Sequence, residues 1–74
     1  SGGPKTEIKS PLPGIIVKIF VKPGEPVEKN QRLFSLEAMK MENEIKAERA
    51  GVIAGIRIAE GQSVLQDEVI MEMD

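Results

Sequence analysis

The chain has 74 residues, 41% of them hydrophobic and 30% charged, with a net charge of −2 at pH 7; a chain this short buries only about 60% of its unfolded surface and leaves little room for a deep substrate pocket. It contains no His and no Cys, which excludes Ser-His-Asp and Cys-His nucleophile systems and most transition-metal sites, and the lack of disulfides points to a reducing cytoplasm. Interspersed charges without Trp or Tyr argue against nucleic acid as a partner, and no apolar run nears the roughly 20 residues that span a bilayer, so direct membrane insertion is not expected.

In chain order, residues 1–5 open with Ser1-Gly2-Gly3-Pro4 and read as a tag remnant or linker, which leaves 6–74 as one domain. Pro13-Gly14 and Pro23-Gly24 fit the central positions of type II turns, where Pro presets φ and Gly accepts a positive one. Between them Ile15, Val17, Ile19 and Val21 alternate with polar residues such as Lys18, the pattern of a half-buried strand with these four on one face. The stretch from Phe34 to Arg49 is rich in strong helix formers, and Phe34, Ala38, Met41 and Ile45 even fall on a helical stripe. Beyond it, Ala50-Gly51 and Glu60-Gly61 repeat the turn positions, and Val52, Ala54, Ile56 and Ile58 repeat the alternating face.

A self-match resolves the helix-like stretch. Shifted by 37 positions, Thr6–Glu37 aligns with Asn43–Asp74 with eight identities in 32 pairs, where ordinary residue usage gives roughly two. The identities include Glu7-Ile8-Lys9 on Glu44-Ile45-Lys46, Gly14 on Gly51, Ile16 on Ile53 and Gly24 on Gly61. Lys46–Gly51 therefore corresponds to Lys9–Gly14, where Pro11 and Pro13 forbid a continuous helix. Two strands meeting at Lys40 are predicted instead. Two like halves imply a pseudo-two-fold all-β sandwich or barrel. The residues between them, 38–42, have Lys40 at their midpoint, which places that lysine on the hairpin joining the halves and near the axis.

Glu37, Glu42 and Glu44 surround Lys40 with negative charge, and Met39 and Met41 flank it. Other lysines, among them Lys18, Lys22, Lys29 and Lys46, carry the same amine. Any chemistry that singles out Lys40 must therefore do so by position. Glu37-Ala38-Met39-Lys40-Met41, with Asn43-Glu44-Ile45 after it, resembles the biotin-attachment motif of the biotin carboxyl carrier family, and the similarity extends over residues 6–74. The resemblance implies a flattened β-barrel of two four-stranded antiparallel sheets with pseudo-two-fold symmetry, with the modified lysine on a protruding hairpin and the chain termini close together away from it. It implies biotin as the cofactor, joined by an amide bond to Lys40, with Ala38 and Glu37 completing the motif and Met39 and Met41 recognised by a biotin protein ligase and tuning carboxylation.

The role so implied is that of a non-catalytic carrier, loaded at a biotin carboxylase and unloaded at a carboxyltransferase or decarboxylase. The gap-free repeat leaves no room for the inserted "thumb" that some members of that family carry. The nearest rival is the lipoyl carrier domain of a 2-oxoacid dehydrogenase-type complex, which shares the fold but usually has Asp before the modified lysine, where Met39 stands here.

Overall fold

The computed structural model describes residues 5–74, so the expected tag remnant Ser1-Gly2-Gly3-Pro4 lies outside the described residues. Eight strands follow in order: β1 (Thr6–Lys9), β2 (Gly14–Ile19), β3 (Pro26–Val27), β4 (Arg32–Ala38), β5 (Met41–Lys46), β6 (Gly51–Ile56), β7 (Ser63–Val64) and β8 (Val69–Met73). No helix occurs among the described residues, and the helix-forming stretch is the β4–β5 hairpin. Tertiary pairing overrides its local propensity, because a strand there buries Phe34, Leu36 and Ala38 against the rest of the chain.

The strands form two four-stranded antiparallel sheets, ordered β1-β8-β6-β3 and β5-β4-β2-β7. Exchanging each strand for its counterpart 37 residues away converts one order into the other. Each sheet thus takes strands from both halves, and neither half can bury its apolar face alone. The shared core contains Ile16, Leu33, Phe34 and Leu36 from the first half, with Ile53, Ile70, Met71 and Met73 from the second. Every strand of one half has its counterpart in the other without an insertion, as the gap-free repeat implies.

The repeat extends to backbone detail. Gly24 and Gly61 have φ of 86° and 88°, and Asn30 and Asp67 have φ of 73° and 67°. These four residues sit in four tight turns, each closed by the N–H of its fourth residue donating to the carbonyl of its first: Lys22–Glu25, Glu28–Gln31, Ala59–Gln62 and Leu65–Glu68. In all four, the first residue's N–H donates in return to the fourth residue's Glu or Gln side chain. The spacing of a left-handed Gly, Asn or Asp followed by Glu or Gln is therefore a turn code written four times.

Three expectations fail here. First, Ile15, Val17, Ile19 and Val21 do not share a buried face: Ile15 and Val17 are exposed, and Ile16 is the core residue. Val17 is a bulge, since Ile16 pairs with Leu36 and Lys18 with the next residue, Ser35. The extra residue inverts the alternation, so that Ile19 and Val21 turn inward while Ile15 points out. Ala54 repeats the bulge in β6, which exposes Val52 and buries Ile53. Second, Gly14 and Gly51 are strand residues without positive φ, not turn glycines. Third, Lys40 is not near the pseudo-two-fold axis. The symmetry exchanges Glu37 with Asp74 and Asn43 with Thr6, and hence the hairpin tip with the chain ends, which are paired through Thr6 and Met73. Past the far end of β5, Arg49 donates to the Thr6 hydroxyl at 2.7 Å and the Asp74 carbonyl at 2.9 Å. The six residues of β5, about 20 Å of strand, thus separate the tip from the termini in a molecule 38 Å long.

Candidate functional site

Ala38 and Met41 pair as the last rung of the β4–β5 hairpin, so Met39 and Lys40 alone make the turn. Their φ values are 55° and 62°. Two left-handed residues in succession define the type I′ turn, which fits the right-handed twist of the flanking strands and strongly prefers Asn-Gly. Neither Met nor Lys suits it. The left-handed conformation costs roughly 1–2 kcal/mol for an ordinary residue, and such strain gathers where function requires it. Met39→Gly is expected to stabilise the domain by about 1 kcal/mol, since the side chain is 83% exposed and its removal costs no packing. For a domain of this size that is a rise in Tm of roughly 4–8 °C, measurable by thermal unfolding.

The turn projects its side chains into solvent. Lys40 is exposed, and Met39 and Met41 are 83% and 64% exposed, whereas Met71 and Met73 are buried. Two large apolar side chains exposed beside one lysine are the kind of surface that marks interaction sites. Beneath them the hairpin is fixed. Ala38 is buried, and a Cβ placed on Gly14 would stand 3.2 Å from its Cβ and only 2.3 Å from the Glu37 carbonyl oxygen. The glycine therefore lets β2 approach the base of the tip more closely than any other residue could. Glu37 and Glu42 face each other on the outer side of the hairpin. Like charges directly opposite are destabilising, a second local rule broken at the same place.

Of the residues singled out in the sequence, Met39, Lys40 and Met41 form the exposed tip, Glu37 lies on the outer face just below it, and Ala38 is a packing residue. Sequence reading missed two positions that hold the tip. Gly14 follows a turn-forming proline but lies in β2. Asn43, noted only as part of the motif's surroundings, donates through Nδ2 to the Met41 and Leu36 carbonyls. A cavity of about 510 Å³ opens between the edges of β1 and β5, where Ile8, Lys9, Ile45 and Arg49 line it and no tip residue does. A group carried on the exposed Lys40 would extend into solvent from the tip. The exposed amine at the apex of a narrow turn fits such a bond, and the site suits delivery into another protein's active site rather than chemistry in place.

The chain is similar to known proteins of one family. The sequence pattern of the family described as "Biotin-requiring enzyme" matches residues 6–73. The chain is 48% identical over 64 residues to the propionyl-CoA carboxylase alpha chain of Ruegeria pomeroyi, covering 86% of this chain and 9% of that one. It is 51% identical over 55 residues to the biotin carboxyl carrier protein of Streptococcus mutans, covering 74% of this chain and 42% of that one. The chain thus spans less than half the length of these relatives. Among solved structures, the lipoyl domain of the 2-oxoglutarate dehydrogenase complex from Azotobacter vinelandii superposes with a TM-score of 0.82 and 32% identity, covering 92% of this chain and 94% of that one.

Proposed function

The chain belongs to the family of biotin-requiring enzymes, and from that membership we propose that residues 6–74 are a carrier domain whose Lys40 bears biotin in amide linkage to Nζ. The observation that carries the reading is the position of Lys40, exposed at the apex of a strained two-residue turn between two exposed methionines. Bound there, biotin supplies a ring nitrogen that accepts a carboxyl group at one enzyme site and gives it up at another.

The chain's own residues present the lysine. Gly14 and Ala38 anchor the base of the hairpin, the left-handed pair forms the turn that leaves Lys40 exposed, and Met39 and Met41 offer apolar contact to whatever the tip enters. The partners proposed are a biotin protein ligase for loading, a biotin carboxylase, and a carboxyltransferase or decarboxylase. Tethering keeps the group at high effective concentration at each site. The setting proposed is cytoplasmic. No helix of the described residues is long and apolar enough to cross a membrane.

The lipoyl reading shares the fold but has less support, with 32% identity to the lipoyl domain against 48% and 51% to the carboxylase chain and carrier protein. Intact mass after incubation with biotin, ATP and a biotin protein ligase separates the two. One biotinyl group per chain is expected, with no gain from lipoate and a lipoate ligase. The reverse pattern would exchange the readings, and no gain from either would reject both.

A further inference from the structure

Asn43 stands where the register calls for an apolar side chain. It pairs with Leu36, which is fully buried, on the core-facing side of β5, and two residues on the same side holds Ile45 opposite Phe34. An apolar residue at such a position stabilises by burial alone, so an amide there breaks the local pattern and asks for a compensating gain. Its Nδ2 donates to the Met41 carbonyl at 3.2 Å and to the Leu36 carbonyl at 3.4 Å. One amide thus ties the first residue of β5 to the strand opposite, immediately below a turn in which both residues hold left-handed backbone. The pseudo-symmetric position is Thr6, whose hydroxyl serves a different purpose by accepting from Arg49 at 2.7 Å.

We propose that Asn43 is a positioning residue for the attachment lysine, a clamp on the Met41 carbonyl that keeps the strained Met39-Lys40 turn closed and Lys40 at its apex. The inference rests on the reading of Lys40 as the biotin acceptor. The clamp acts through the backbone of Met41. Without it, the turn can relax toward conformations that spare Met39 and Lys40 the left-handed region, and the ligase then meets a mixture of tips.

The test compares the wild-type chain with Asn43→Leu and Asn43→Ala. Leucine fills the inward position with apolar surface, so its Tm is expected to stay at or above that of the wild type. Loss of the clamp is read as faster hydrogen exchange at the Met41 amide, by about three- to tenfold, the worth of one ordinary hydrogen bond. Exchange in β2 and β8 should be unchanged, and kcat/KM for ligation of biotin should fall by about the same factor in both variants. Unchanged Met41 exchange and ligation in Asn43→Leu would overturn the proposal. So would exchange that quickens in every strand alike, which marks a merely structural residue. A wild-type chain that takes up no biotin would defeat the attachment reading, while the exchange comparison would still decide whether the clamp exists.

Discussion

Lys40→Arg is expected to take up no biotin under conditions in which the wild-type chain takes up one group. Arginine keeps the charge and much of the length of the side chain, so the hairpin and its surface potential are preserved. Its guanidinium stays protonated, so it has no free amine to form the amide. The variant therefore removes the nucleophile and little else. The internal controls are the other lysines. Lys9, Lys18 and Lys46 lie within strands, where an active site cannot close around them. Lys29 is the sharper control, because it also occupies an exposed tight turn, Glu28–Gln31. That turn has only one left-handed residue, Asn30, and no flanking methionine. Lys29→Arg is expected to load as fully as the wild type. Residual loading of Lys40→Arg, traced by peptide mass to Lys29, would show that an exposed turn lysine suffices and that the Met-Lys-Met tip does not select.

Gly14→Ala is expected to cost about 3 kcal/mol or more, against a total stability of roughly 4–11 kcal/mol for a domain of this length. The added Cβ would meet the Glu37 carbonyl oxygen at 2.3 Å and the Glu37 carbonyl carbon at 3.1 Å. Both are backbone atoms of β4, so no side chain can rotate away, and β2 and β4 must part at the base of the hairpin. A fall in Tm of roughly 12–24 °C or more follows at 4–8 °C per kcal/mol. Gly55→Ala is the matched control. It too is a strand glycine without positive φ, but a Cβ there meets nothing within 4 Å. It should be neutral or slightly stabilising through the unfolded state. Equal effects at the two positions would show that close approach is not what Gly14 provides. Because the clash bears on Glu37 and Ala38, Gly14→Ala should also slow biotin ligation at temperatures where the variant is fully folded.

The amino-acid sequence by itself determined the architecture. The 37-residue repeat predicted two like halves with pseudo-two-fold symmetry and an all-β fold, and it overruled the helical propensity of 34–49 because Pro11 and Pro13 sit in the aligned copy. The same repeat placed Lys40 on the hairpin between the halves, and Met-Lys-Met was legible there as a motif. What the sequence could not decide were features set by strands distant along the chain. Which face of β2 and β6 is buried depends on bulges at Val17 and Ala54, and a bulge is a mismatch between two strands that periodicity within one strand cannot report. Gly14 follows a turn-forming proline and Gly51 occupies the matching place in the repeat, yet they are glycines because the carbonyls of Glu37 and Asp74 lie where their Cβ atoms would be. Met39 and Lys40 have no turn propensity, and they adopt left-handed backbone because the pairing of Ala38 with Met41 leaves only two residues to reverse the chain. Local chemistry writes strands and repeats into the sequence, whereas close approach and strain come from where a second strand ends up, and only the folded chain specifies that.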